Sequence, residues 1–297
     1  MSNDRMQRQR FELKYLIDEE KALAIRHFAM GHLELDEAGL DKPDNAYRVS
    51  SLYLDSGGLL SFWDWVNGNR NRFKLRMRFY DTRLETPVFL EIKRHANDCI
   101  LKERCGISKL AATLVAAGHC PSDDDILTRD SKGYLALTHF VEMVTQLQAR
   151  PKALVSYLRE AYIDPENEGV RLTLDRQVSV LPRSSVNFSL DEGFPIYPFG
   201  DIVILELKFN NRFPNWFGEM IRTYHLPRRA AAKYCEGVAA LWHPQLSHGY
   251  ARELFVSAAA EIFGPQPVAR SEDSEENDVS AQPAEENAPK DSCAPQV

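Results

Sequence analysis

Alternation between polar and apolar positions organises most of the chain. From Arg8 to Ile17, Arg8, Arg10, Glu12 and Lys14 interleave with Phe11, Leu13, Tyr15 and Ile17. Side chains repeat every two residues along a strand, so each set occupies one face. Arg72 to Tyr80 sets Arg72, Lys74, Arg76 and Arg78 against Phe73, Leu75, Met77 and Phe79, and Val88 to Arg94 sets Phe89, Glu91 and Lys93 against Val88, Leu90 and Ile92. Ile100, Lys102 and Arg104 alternate with Leu101 and Glu103. Ala153 to Ile163 carries Arg159 with Val155 and Tyr157, Val170 to Arg176 carries Arg171, Thr173 and Asp175, and Ile202 to Asn210 carries Glu206 and Lys208. With Tyr47 to Leu54, eight strands are predicted.

Helical spacing is sparser. Asp18 caps a helix from about Glu19 to His32, and Ser108 caps one from Lys109 to Ala117, ahead of Gly118. Further helices are expected over 57–66, 124–148, 214–224, 227–242 and 250–262. Leu181 to Gly200, with Pro182, Pro195 and Pro198, reads as a long loop of the kind that often forms a lid.

Composition sharpens this picture at the C-terminal end. The 297 residues hold 36 Lys plus Arg against 43 Asp plus Glu, a net charge of −7. From Ser271 onward eight carboxylates face Lys290 alone, so the acidic excess lies there and the body is balanced. Past about Pro265 large apolar residues almost vanish, and such a segment cannot offset the entropy of ordering. Residues 1–264 are therefore read as one catalytic domain and 265–297 as a disordered acidic tail. A balanced body argues against a diffuse nucleic-acid-coating surface. No apolar run reaches the roughly 18 to 20 residues needed to span a bilayer, and the first residues lack a signal-peptide core, so a cytoplasmic protein is expected. Five cysteines without a C-x-x-C pair argue against a disulfide framework or thiolate zinc site.

The cation-rich faces are the unusual feature. Like charges facing each other across strands cost free energy. Such faces become stable when they surround a polyanion and a metal ion. Glu12-x-Lys14, Glu91-x-Lys93 and Glu206-x-Lys208 each set a carboxylate beside an ammonium on one face. That pairing suits a metal triphosphate, with Glu oxygens on Mg²⁺ or Mn²⁺ and Lys and Arg on phosphate oxygens. Glu91 more readily orients Lys93, or Arg76 on the neighbouring strand, than binds metal. Arg72, Lys74, Lys102, Arg104 and Arg176 are compatible with plain surface positions. The eight histidines show no H-x-x-x-H spacing, and the chain has no P-loop, G-x-G-x-x-G or G-x-S-x-G motif. An RNA-binding sheet is disfavoured because Phe11, Tyr15, Phe73 and Phe79 fall opposite the cations, whereas base stacking needs both on one face.

These segments resemble the VTC domain, the polyphosphate polymerase domain within the triphosphate tunnel metalloenzymes (the CYTH superfamily). The resemblance runs in order through Phe11-Glu12-Leu13-Lys14-Tyr15, Ser51-Leu52-Tyr53-Leu54-Asp55, Lys74-Leu75-Arg76-Met77-Arg78 and Phe89-Leu90-Glu91-Ile92-Lys93. It continues through Ser156 to Tyr162, Arg171 to Asp175, Leu205-Glu206-Leu207-Lys208 and Ala232-Lys233-Tyr234. It implies an α+β fold, an eight-stranded antiparallel β tunnel closed as a barrel, with a cation-lined lumen and flanking helices. It implies that Lys14, Arg76, Arg78, Lys93, Arg159, Arg171, Lys208 and Lys233 line the lumen and hold phosphates, and that Glu206 ligates a divalent metal, Mn²⁺ or Mg²⁺. Two positions depart from the pattern. Arg10 stands where the superfamily often has a first Glu, which leaves Glu12 as that strand's metal ligand or as the salt-bridge partner of Lys14. Ala232 replaces the serine of the family's S-K-Y. The function implied is a phosphotransferase that moves the γ-phosphoryl of ATP onto inorganic polyphosphate and releases ADP. A triphosphatase and a non-catalytic polyphosphate-binding module are the alternatives. The chain is not expected to span a membrane itself, and a membrane protein partner stays open.

Overall fold

A computed structural model describes residues 10–242 except 97–98; Arg8, the helix expected over 250–262 and the acidic tail lie outside the described residues. The strands are β1 (Arg10–Ile17), β2 (Glu34–Leu35), β3 (Ala46–Asp55), β4 (Arg72–Phe79), β5 (Val88–Ala96), β6 (Cys99–Ile107), β7 (Arg150–Ile163), β8 (Arg171–Pro182) and β9 (Val203–Asn210). The helices are α1 (Glu19–Ala29), α2 (Leu60–Val66), α3 (Ala112–Ala116), α4 (Ser131–Gln146), α5 (Asn215–Thr223) and α6 (Lys233–Trp242). All eight expected strands form. The short β2, which pairs with β7, carries too few residues to show a period.

The strands make one antiparallel sheet in the order β1-β9-β8-β7-β3-β4-β5-β6. This α+β sheet curls into a half-barrel, and it corrects the expectation of a closed barrel. Among the described residues no backbone register joins β1 to β6. The outer edge of β1 is taken instead by a short passing segment: Tyr15 bridges Arg228, and the Arg229 N–H donates to the Lys14 carbonyl at 3.2 Å. This pairing explains why α6 starts at Lys233 rather than near residue 227. Residues held extended against a strand edge cannot also be helical.

Helix starts follow local hydrogen bonds. The Asp18 side chain accepts from the Lys21 N–H to cap α1, and Asp130 accepts from the Gly133 N–H to cap α4. The carboxylate of Asp55, at the end of β3, accepts from the Ser61 and Phe62 N–H groups, so α2 begins at Leu60 rather than 57.

Two apolar layers lie on the outer face of the sheet. One packs α3 and α4, through Val115, Leu137, Phe140 and Val144, on β4, β5 and β6. The other packs α1 and α5, through Ile25, Phe217 and Met220, on β1, β8 and β9. Each such fully buried side chain contributes about 1.5–3 kcal/mol. The third layer differs. Val49, Tyr53 and Tyr157 also face the cavity, and here they pack with Phe62 and Trp65 of α2 and Tyr234, Cys235 and Val238 of α6. The two helices therefore give one end of the half-barrel an apolar floor. Gly237 permits the close approach, since a Cβ there would lie 2.6 Å from Val180 Cγ2.

Residues 183–202 contain no named helix or strand, but they are not a lid on the cavity. Ile196 pairs with Val180, and Val186, Phe188 and Leu190 pack against the outer core. On the same side, Lys109 is buried and donates to Asp81 O, Arg83 O and Thr86 Oγ1, holding the β4–β5 turn. Among the described residues no helix is long and apolar enough to cross a membrane.

Candidate functional site

The concave face of the sheet encloses a cavity of about 1000 Å³. All ten residues singled out by sequence line it: Glu12, Lys14, Arg76, Arg78, Lys93 and Arg159, with Arg171, Glu206, Lys208 and Lys233. Among the described residues, fourteen Lys and Arg side chains and two carboxylates face the space.

Register explains half of this assembly. Lys14 of β1 stands opposite Glu206 of β9, Glu12 opposite Lys208, and Arg171 of β8 opposite Lys208. Glu206 is the hub. Lys208 Nζ lies 2.6 Å from its Oε2, Lys233 Nζ 3.0 Å from its Oε1, and Lys14 Nζ 3.4 Å from its Oε1. Arg159 Nη2 donates to the same carboxylate at 3.2 Å. Burial alone would raise the Glu206 carboxyl, but Lys208, Lys233, Lys14 and Arg159 outweigh it and hold the group well below the usual range. Asp175 supports the hub from behind. It accepts from Nε and Nη2 of Arg159, each at 2.7 Å, and takes Lys233 at 2.6 Å.

Glu12 closes the seam that the backbone leaves open. Lys93 Nζ of β5 reaches its Oε2 at 3.0 Å, and Lys14 Nζ its Oε1 at 3.1 Å. Burial opposes ionisation of Glu12 too, and Lys93 and Lys14 again reverse the balance. The edge strand β1 is thus tied by an ion pair to β5, the strand next to the other edge β6, with no hydrogen-bond ladder between the edges among the described residues.

A second carboxylate cluster centres on Glu91, which is wholly buried. Of the two partners expected for it, Arg76 is the one found, donating at 2.7 Å, while Lys93 turns away to Glu12. Lys102 lies 2.7 Å from Glu91, with Arg78 and Arg104 each at 3.7 Å. Hydroxyls hold the arginines in place: Arg76 donates to Tyr53 Oη at 3.1 Å, and Arg78 to Ser51 Oγ at 3.4 Å. Tyr53 and Tyr157 are buried, so they orient cations rather than offer free faces.

Several lining residues escaped the sequence reading. Arg72, Lys74, Lys102 and Arg104 face the cavity rather than plain surface. Their alternation with Phe73, Leu75, Leu101 and Glu103 was the available signal. Tyr47 and Tyr80 carried the same signal, at period two with Val49 and Tyr53 and with Arg76 and Arg78, whereas Arg228 and Arg229 gave none, because the seam places them. Arg176 lies outside the cavity, where it pairs with Glu19 and Glu160. His95 lines the cavity but is held down to about 3 by burial and by Lys93, Arg72 and Lys74, so it adds no charge at neutral pH.

The donor set suits a hard divalent cation held in part by substrate. Glu12 and Glu206 flank one ammonium, that of Lys14, so the space between them already accommodates positive charge. Among the described residues no group of three His, Cys, Asp or Glu could form an all-protein cage. Two carboxylates with phosphate oxygens completing the shell is a common arrangement for Mg²⁺.

No curated protein matches the chain. Among solved structures, a Bacillus halodurans protein described as a candidate adenylate cyclase is 15% identical, over 76% of this chain and 96% of its own, with a TM-score of 0.43. A Hippeastrum protein described as a candidate adenylyl cyclase with a dominant triphosphatase activity is 13% identical, over 77% of this chain and 93% of its own, with a TM-score of 0.41. The family model of the VTC domain matches residues 9–242, the span that builds the half-barrel and its cavity, and the chain therefore belongs to the VTC domain family.

Proposed function

We propose that this chain is a metal-dependent polyphosphate polymerase, which transfers the γ-phosphoryl of ATP to the end of an inorganic polyphosphate chain and releases ADP. Membership of the VTC family supports an activity on polyphosphate or triphosphate. The observation that carries the finer reading is the charge of the lining, fourteen cations against two carboxylates among the described residues. Even with the buried Glu91 and Asp175 counted, the excess is far larger than the about four charges of a single triphosphate can balance. A nucleotide and a phosphate chain together would balance it.

The chemistry asks little of the protein beyond position and charge. The terminal oxygen of the chain is already anionic and needs no base. It forms the new bond to Pγ as the bond from Pγ to the β-bridging oxygen breaks, and that electron pair leaves on ADP. Lys208, Lys233, Lys14 and Arg159 surround the point where negative charge shifts, and they are fixed before reaction by Glu206 and Asp175. Glu206 and Glu12 would hold the divalent metal, which when bound supplies charge neutralisation on the phosphate oxygens.

Incubation with ATP and Mn²⁺, followed by gel analysis of the products, tests the reading. Chains longer than the donor are expected. Phosphate without chains would assign the cavity to a triphosphatase, and no turnover with retained polyphosphate binding would assign it to a binding module.

A further inference from the structure

Among the described cavity aromatics Tyr53, Trp65, Tyr157 and Tyr234 are buried, Phe11 is partly buried and stacks on Phe209, and Tyr47 and Tyr80 remain. Tyr80, just past the end of β4, is 41% exposed, and Tyr47, near the start of β3, is half-buried; their rings lie 6.5 Å apart and tilted by 53°. Phe89 stands edge-on to Tyr80 at 6.1 Å and carries the Arg104 guanidinium 3.7 Å above its own ring. Together they form an aromatic corner on a wall otherwise made of cations.

The corner lies away from the apolar floor: Tyr47 stands near the start of β3, whereas Tyr53, nearer the other end of that strand, stacks on Tyr234 of α6. Tyr80 is exposed while Lys233, Glu206 and Tyr234 are buried, so the corner is the mouth and the carboxylate hub lies deep. Arg171 links the two. Its Nη2 donates to Tyr47 Oη at 3.1 Å and pairs with Asp36, while its backbone position faces Lys208. Arg159, directly opposite Tyr47 in the β3–β7 register, reaches Glu206. The cationic path to the hub therefore starts beside the tyrosines.

We infer that Tyr80, backed by Tyr47, is a nucleobase-stacking site that holds the nucleoside of a nucleoside triphosphate at the mouth while its phosphates run inward past Arg171 and Arg159 toward Glu206. This rests on the proposed polymerase reading and adds to it the distinction between a nucleotide and a bare phosphate chain. An exposed tyrosine face beside a cationic groove is the combination that takes bases by stacking, with little preference among them. The phosphate path alone cannot make that distinction, since the cations meet the same oxygens in ATP and in inorganic tripolyphosphate.

The test compares ATP with inorganic tripolyphosphate by calorimetric titration, both with Mn²⁺, on wild type, Tyr80→Ala and Tyr80→Phe. Tyr80→Ala is expected to weaken ATP by about 5- to 150-fold, the range for losing one base stack, while tripolyphosphate stays within about twofold. Tyr80→Phe is expected to keep wild-type affinity for both, since the stacking face survives. Equal losses for the two ligands, or no loss for ATP, would overturn the stacking site and leave the phosphate path standing. Failure of wild type to bind tripolyphosphate at all would overturn the phosphate path, and the stacking site with it.

Discussion

Raising the pH from 7 to 9 should strip protons from two cavity lysines before any ligand arrives. Burial brings Lys102 and Lys208 down to about 8, against the pull of Glu91 on the first and Glu206 on the second. A lysine with that pKa is about nine-tenths protonated at pH 7 and about one-tenth protonated at pH 9. Phosphate oxygens beside each ammonium favour the charged form, so the complex holds both protons. Binding of inorganic tripolyphosphate should then take up about 0.2 protons at pH 7 and about 1.8 at pH 9. These figures are the lysines' share; protons that the ligand's own two terminal phosphates release on binding are the same for wild type and Lys102→Met and cancel in the difference between them. Affinity should fall above pH 8 with a slope approaching about two decades per pH unit. The empty protein moves the other way. A lysine whose pKa is lowered on folding costs stability wherever it is charged in both states, so the penalty is fully present below about 8 and fades as pH rises toward the ordinary 10.5. Titration calorimetry at pH 9 in two buffers of different ionisation enthalpy measures the uptake directly, and Lys102→Met should remove about 0.9 protons of it. Equal uptake by wild type and Lys102→Met at pH 9, with tripolyphosphate still bound, would refute the reasoning.

Glu206→Gln removes the charge shared by Lys14, Lys208, Lys233 and Arg159. Turnover with Mn²⁺ should drop by about two decades or more, and the melting temperature of the empty protein should fall yet recover largely on adding tripolyphosphate; near-wild-type turnover at saturating Mn²⁺ would make Glu206 structural. Glu12→Gln cuts the ion pair across the seam, so thermal stability should decline, with hydrogen exchange rising first in β1 and β5; unchanged exchange there would show that the passing segment at Arg228 and Arg229 closes the seam alone. Lys109→Met should destabilise the fold by about 1–3 kcal/mol through the acceptors it strands, while tripolyphosphate affinity holds, since Lys109 lies outside the cavity. A loss of affinity there would mean that the β4–β5 turn sets the cavity's shape.

What the residues determined by themselves was local and periodic. Because side chains alternate at a period of two, Arg76 and Arg78 had to share a face, and so did Glu12 and Lys14, or Glu206 and Lys208. The cap at Asp18 acts within one turn, so it too was legible, whereas the helix expected under a Ser108 cap starts only at Ala112, with Ala111 at its N-terminus. Tertiary structure decided which faces met. Lys93 could have paired with Glu91, two residues away, yet curling of the sheet brought it to Glu12 on another strand, where the carboxylate of the open edge needed a partner. Closure of the barrel likewise depended on long-range fit. The chain passing at Arg228 and Arg229 occupies the edge of β1, which leaves the join to an ion pair. The floor made by α2 and α6 comes from helix packing that no strand period encodes, and although the period places Tyr47 and Tyr80 on the cavity face, the curl of the sheet decides that their rings meet.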